Sequence, residues 1–408
     1  HADTLAYVNK IRLSLVDLNN LLDGKIKLHS IFLDDIKIIN TQYEGKKDAL
    51  SQFISLFNKK NNDSIFTPIS INTLVITEGL YHQRSNDEKQ KKSFQLRKVK
   101  VEAKNLILSG KNVEGQILSF SGVESSEGTE FMQGRFLFDY SPKEINLQEL
   151  EVKTNNEFIA GNFVLKDSVN NITSWKDSAE LTVEFDSISV DPNKWIQNKA
   201  NRISWPKING SIYGKGNPQK FILDTLAIES EWGFIGLKGN AINLDKPDNL
   251  NMNLQLQIKD LAPKKIVIPL DRSLASNFDQ QDRISFEGYL ELEKSKIDYD
   301  LSVVSDWFAA TVRGHIGKGF IFKENYNDSF EIETKVKRIN MDRFVNNLTN
   351  AIYLSGDLNC KGVGRTLEDL KGSWQLEQLR VFQNKKKLIT FNGSGTYEER
   401  QLNSSITT

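Results

Sequence analysis

Three kinds of residue group in this 408-residue chain have types and spacings that could do chemistry. Gly214-Lys-Gly216, Gly317-Lys-Gly319 and Gly362-Val-Gly364 have the spacing that opens a phosphate-cradling loop. Such a loop works where it follows a strand and starts a helix, so that amide N–H groups converge on the phosphate. All three lie in strand-like runs and start no helix, so no nucleotide site is expected. Asp34-Asp35 and Glu398-Glu399 are adjacent carboxylates. Neighbours in a strand point to opposite faces, whereas acid–base or nucleophile pairs must converge. Cys360 is the only cysteine, and His1, His29, His82 and His315 are scattered. That excludes an internal disulfide and leaves no Cys/His ligand spacing for a metal. Cys360 shares the apolar parity of Ile352, Leu354, Gly356 and Leu358, so it reads as a small buried hydrophobe. Spacing suggests no Ser/His/Asp or Cys/His set. The Asn-x-Ser/Thr triplets at Asn171, Asn347 and Asn392 are what an Asn-rich chain produces by chance. The expectation is a protein that is not an enzyme and needs no cofactor and no metal.

What remains is apolar chemistry. Leu250, Met252, Leu254, Leu256 and Ile258 alternate with Asn251, Asn253, Gln255 and Gln257. In a strand this gives one apolar face and one face of neutral amides. The same alternation recurs along the chain. Phe136 and Phe138, Phe163 and Leu165, and Leu181 and Val183 show it in the first half. In the second half it returns at Ile284, Phe286, Leu290 and Leu292, at Phe308, Val312 and Ile316, at Ile332, and at Leu354 and Leu358. These are the candidate lining residues of an apolar groove. Gly134, Gly161, Gly210, Gly288, Gly314 and Gly356 each stand two residues before an apolar one, on the same parity. Glycine inside a strand marks a bend, a bulge or close approach. On the apolar face it should let the sheet curl and leave room above it.

The elements that must position this face are almost all strands. An opening module over 1–68 departs from the rule. Leu15, Leu18, Leu21 and Leu22 fit one helical face ended by Gly24, and Leu50, Phe53, Ile54 and Phe57 predict an amphipathic helix over Asp48–Asn58. The first part of the β-groove follows over 69–262, with a charged loop at 84–93 and a short helix over Pro192–Asn201 that buries Trp195. Residues 263–283, with Pro263, Pro269 and a polar run, predict a loop or lid. The β-groove continues over 284–408, with one short helix around Met341–Leu348.

Hydrophobic content is 38%, enough for an apolar layer but not for a thick core. Lys plus Arg equals Asp plus Glu, 53 each, so no electrostatic footprint for nucleic acid exists. No run approaches ~20 apolar residues, so no helix is expected to span a bilayer. About twenty strands with short polar connections predict a mainly β fold. Its form is an elongated, curled antiparallel meander sheet, U-shaped around a groove, with a few short helices. At ~4.8 Å per strand, twenty strands would span roughly 95 Å. A channel of that length suits acyl chains, which gain ~0.8 kcal/mol per buried CH₂ without directional bonds.

Several segments carry a family likeness. The run Asp3–Leu15, then Leu18–Gly24, then Lys25–Ile38 resembles the strand–short helix–strand opening of the AsmA-like family, in its TamB-type branch. A glycine turn (Glu44-Gly45-Lys46) and a Leu/Phe helix (Leu50–Phe57) follow, as they do there. Leu354–Trp374 resembles that family's repeated glycine hairpin, and Ile208–Gln219 resembles a second repeated element more weakly, with Ile208 in place of a leading Leu. The resemblance implies a taco-like, U-shaped sheet with a hydrophobic groove that carries phospholipid. It implies the periplasm of a diderm bacterium, with an inner-membrane helix upstream of this chain. It also implies an Omp85-type (TamA-like) outer-membrane barrel partner, reached through a region outside this chain, and a role in lipid transport or in outer-membrane protein assembly. The chain reads as a fragment of something longer.

Two rival readings differ in class. One is a scaffold or chaperone whose sheet edges receive strands of outer-membrane proteins. The other is a β-solenoid adhesin. A solenoid needs a fixed repeat, and the first five glycine motifs stand 27, 49, 78 and 26 residues apart.

Overall fold

The computed structural model describes residues 5–16, 26–42, 68–85, 94–125, 128–166, 179–194, 205–246, 249–267, 279–293, 296–317, 329–341, 352–364, 371–384, 386–398 and 401–408. The helices expected at 18–24 and 48–58, most of the 84–93 loop, residues 195–201, and the 341–348 helix beyond Met341 lie outside them. So do Lys318 and Gly319, Glu399, Asn171 and Asn347. The described residues are almost entirely strand, as the alternation predicts. The chain falls into two compact units, His1–Asp191 and Pro192–Thr408.

In the first unit, β1 (Ala6–Leu15) pairs antiparallel with β2 (Ile26–Gln42). β2 then runs parallel to β3 (Ile69–Ile76) along its first half and to β4 (Gly79–Ser85) along its second. Among the described strands these two pairings depart from the antiparallel meander. Parallel neighbours need a long crossover, and 43–68 supplies its length. The break between β3 and β4 is held by Thr77, whose hydroxyl donates to Asp34 Oδ1 at 2.6 Å. From there the chain is an antiparallel meander: β5 (Phe94–Ser109), β6 (Asn112–Glu124), β7 (Glu130–Ser141), β8 (Glu144–Thr154), β9 (Phe158–Lys166) and β10 (Glu180–Val190).

The second unit starts with a 3₁₀ turn at Pro192–Lys194. It continues as an unbroken antiparallel meander of twelve strands. These are β11 (Ile208–Asn217), β12 (Lys220–Ser230), β13 (Gly233–Ile242), β14 (Asn251–Leu261), β15 (Ile284–Leu292), β16 (Lys296–Ser305), β17 (Phe308–Gly317), β18 (Ser329–Asn340), β19 (Ile352–Val363), β20 (Lys371–Gln383), β21 (Lys386–Glu398) and β22 (Gln401–Thr407). A short helix α1 (Pro263–Val267) follows β14, where a loop or lid was expected. Proline at the first helical position suits its fixed φ.

Bulges shape these strands. Ile117/Phe120, Leu147/Leu150, Leu223/Leu226, Ile258/Leu261, Val336/Ile339 and Leu376/Leu379 are each spaced by three residues across a register shift. The extra residue keeps both apolar side chains on one face and bends the strand. In three of these bulges a polar residue takes a left-handed conformation: Glu149 (φ 51°), Asp260 (φ 52°) and Gln378 (φ 49°). Each has its N–H accepted by a side chain of the next strand. Asn162 Oδ1 accepts from Glu149 at 3.1 Å, Ser285 Oγ from Asp260 at 3.2 Å, and Asn392 Oδ1 from Gln378 at 2.9 Å. The strain of the left-handed residue is thus offset by a bond that only the register supplies. Asn392→Ala is expected to lower the unfolding free energy by about 1 kcal/mol. Asn403→Ala, on the exposed face of β22, should leave it unchanged; urea denaturation of both variants checks this.

A longer repeat also emerges. Thr154, Ser230 and Ser305, 76 and 75 residues apart, each close the turn after a strand with a hydroxyl. Their oxygens accept N–H bonds from Glu157 (2.9 Å), Trp232 (3.1 Å) and Phe308 (3.0 Å). In the second unit the strand after next returns to the same turn: Ala262 N–H donates to Trp232 O and Asn340 N–H to Trp307 O, both at 2.8 Å.

Candidate functional site

Cross-strand register turns the alternation into rows. One row crosses all twelve strands of the second unit: Ile212, Leu226, Leu237, Leu256, Gly288, Leu301, Val312, Thr334, Leu358, Leu376, Gly393, Ile406. The row beside it passes through Leu254, Leu290, Tyr299, Gly314, Ile332, Cys360 and Trp374. A third holds Met252, Leu292, Ile297, Ile316 and Phe330, and a fourth Ile258, Phe286, Val303, Ala310 and Val336. No Asp, Glu, Lys or Arg stands in any of them. In the first unit, Phe138, Leu147, Phe163 and Val183 form one row. Ile69, Leu108, Val113, Tyr140, Ile145, Leu165 and Leu181 form another.

The structure therefore brings most of the sequence-predicted lining residues together, unit by unit. Phe136 pairs with Ile117 and packs edge-on against Phe138 at 6.1 Å between centroids. Ile284 lies opposite Leu261, and Phe308 and Leu354 both flank Ile339. Leu250 is the exception. β14 begins at Asn251, one residue later than the alternation suggested, and runs on to Leu261 through its bulge. Leu250 belongs to the approach to the strand, where period 2 continued by chance.

This face is a single layer. Among the described residues, eleven hydrophobic side chains are buried and five of those are alanines. The one compact cluster, Ile71, Ala103 and Leu106, lies where β3 meets β5, packed with Leu28, Leu74 and Phe138. Elsewhere Leu254, Leu256 and Phe286 are half-buried.

Of the six glycines on the apolar parity, Gly134 has the Phe120 ring across it, whereas Gly161, Gly210, Gly288 and Gly314 come against backbone carbonyls of neighbouring strands and Gly356 against the Leu379 backbone. Aromatic rings also lie beside Gly214, Gly362 and Gly393. A Cβ built on Gly214 would be 2.9 Å from the ring of Phe221; on Gly134, 3.2 Å from Phe120; on Gly362, 2.9 Å from Phe330; on Gly393, 3.2 Å from Trp374. Rings laid flat across glycines restore apolar contact where the side chain is missing. Phe120 and Phe221 are lining residues that sequence reasoning missed. The signals were there: Phe120 follows Ile117 by three, the mark of a bulge, and Phe221 opens the strand that directly follows the glycines of Ile208–Asn217.

Cys360 lies on this face between Ile332 and Trp374, and burial pushes its thiol pKa up. Burial likewise raises the Tyr299 phenol. A neutral thiol is a poor nucleophile, so Cys360 should alkylate with iodoacetamide at neutral pH more slowly than a free thiol. Intact-mass time courses check this.

The opposite face is polar and charge-balanced. Arg313 meets Asp300 at 3.0 Å, Lys371 meets Glu398 at 2.8 Å, and Arg135 bridges to Glu151. Hydrogen bonds from Arg135 and Lys371 hold the Glu151 and Glu398 carboxyls below their usual range. These pairs are exposed and screened, so they favour one register more than they stabilise the fold. Among the described residues no three His, Cys, Asp or Glu side chains converge to hold a metal ion, and no helix is long and apolar enough to cross a membrane. No family model matches the chain, and neither a curated protein nor a solved structure matches it.

Proposed function

We propose that the apolar face binds phospholipid acyl chains, and that the protein is a periplasmic bridge carrying phospholipid between the inner and outer membranes of a diderm bacterium. The observation that supports this reading is the uncharged row that crosses all twelve strands of Pro192–Thr408, with three shorter uncharged rows beside it. They make an apolar strip about 50 Å long across the strands and roughly 20 Å wide along them. That is a surface for long, flexible, unpolar chains, with few hydrogen-bonding groups to select a compact ligand. The periplasmic setting, an upstream inner-membrane helix and an Omp85-type barrel partner rest on the resemblance of the opening and of Leu354–Trp374 to the AsmA-like family.

One feature favours a second reading, a scaffold for outer-membrane protein assembly. β1 pairs only with β2 among the described residues, and its Tyr7, Ile11 and Leu13 are 51%, 54% and 61% exposed. An apolar strand with an open edge is a template for strand addition. Photo-crosslinkers decide between the two. Probes at Leu254 and Phe286 should capture phospholipid in diderm cells, whereas probes at Gln255 and Glu287 on the polar face should not. Protein crosslinks from β1, with no lipid at any inward position, would replace the first reading by the second.

A further inference from the structure

The two rims of the second unit's sheet are built differently. At one rim the β12–β13 turn carries Trp232, the β16–β17 turn carries Trp307, and Trp205 precedes β11 beside them. Trp205 and Trp232 contact each other with centroids 5.2 Å apart, and Trp307 contacts Phe308 at 5.7 Å. Basic side chains share this rim: Lys265 of α1 pairs with Glu231 at 3.1 Å, and Arg338 donates to Asp306 O at 3.2 Å. At the other rim the turns are polar and hold no tryptophan among the described residues. Asn217 closes one by accepting from Lys220 N–H at 2.8 Å, and Asn243 closes the next by donating to Asn249 O at 3.0 Å.

Tryptophan combines a large apolar body with one N–H donor, and it collects where hydrocarbon gives way to glycerol esters and headgroups. Lysine and arginine beside it keep their charges at the same level while their stems cover apolar surface. An apolar strip whose turns carry tryptophan at one rim and asparagine at the other is polarised for an amphiphile. We infer that phospholipid on this face lies with its glycerol–ester region at the tryptophan rim and its chain ends toward the rim of Asn217 and Asn243. The inference rests on the lipid reading above and adds one shared orientation to it.

Tryptophan emission in the 408-residue protein tests it. In variants that keep only Trp232, only Trp307 or only Trp374, the other tryptophans are replaced by Phe and folding is checked by circular dichroism. Each is loaded with phosphatidylcholine brominated either close to the ester or close to the chain end. Trp232 and Trp307 should lose most of their emission with the ester-side bromine and little with the chain-end one. Equal or reversed quenching overturns the orientation while leaving lipid binding intact. No quenching of any of the three by either lipid, with no lipid in an extract of the loaded protein, overturns the groove reading and this inference with it. A measurement on the unsubstituted chain guards against misfolded variants: a phospholipid with a diazirine at the chain end should mark peptides around Phe221 and Ile242. Marking at Trp232 and Trp307 instead overturns the orientation.

Discussion

A single carboxylate at Leu256 is expected to strip phospholipid from the second unit while leaving the fold intact. Leu256 sits mid-row between Leu237 and Gly288, and no charged group stands in that row. An acyl chain crossing Leu256→Asp would have to strip water from an ionised carboxylate, which costs several kcal/mol. The chain would instead lift away on both sides. Four methylenes left in water cost on the order of 3 kcal/mol, more than about a hundredfold in affinity. The fold should survive because the residue is only half-buried, so the new charge keeps access to water when no lipid is present. Gln255→Asp, one residue away on the polar face, is the control. Quantitative lipid extraction of both purified variants should show loss in the first and wild-type content in the second. Equal content in the two would mean that the rows are not where lipid lies.

Gly288→Val should be strongly destabilising. Gly288 adopts φ 157°, a conformation that side-chain-bearing residues rarely take. A Cβ there would run into the Asp300 carbonyl of β16, a backbone atom fixed by its own ladder. The strand must either shift register or lose pairing, at a cost of roughly 3 kcal/mol or more. Gly134→Ala provides the contrast. Its Cβ would meet the Phe120 side chain, the ring at 3.2 Å and the Phe120 Cβ at 3.3 Å, and no backbone atom, so the cost should stay near or below about 1 kcal/mol. Urea midpoints measured on both variants check the ranking, and near-equal losses would mean that the backbone at Gly288 relaxes without breaking the pair.

Much of the fold was legible because period-2 alternation is local. Met252, Leu254, Leu256 and Ile258 share a face whatever they pair with. The same rule placed Cys360 and the six strand glycines on the apolar side, where the register finds them. Locality also explains the failures. Leu250 extended the alternation past the true strand start, because period 2 carries no information about where hydrogen bonding begins. Phe120 and Phe221 were passed over because their value lies in what they cover on another strand. The parallel pairing of β2 with β3 and β4 was hidden because it joins segments on either side of residues 43–68. The 75-residue recurrence of Ser230 and Ser305 is not carried by the glycines, whose spacing varies.

The amino-acid sequence by itself determined that nearly every strand has one apolar and one polar face and that no charge intrudes on the apolar set. Tertiary structure decided the rest: which residues stand side by side in rows, which rings lie over which glycines, and that Trp205, Trp232 and Trp307 stand along one rim. The reason is physical. Facing is set by the pleat of one strand, whereas adjacency is set by register. Register depends on hydrogen bonds between separate segments and on single extra residues in bulges, such as Glu149, Asp260 and Gln378, each of which moves every later partner by one.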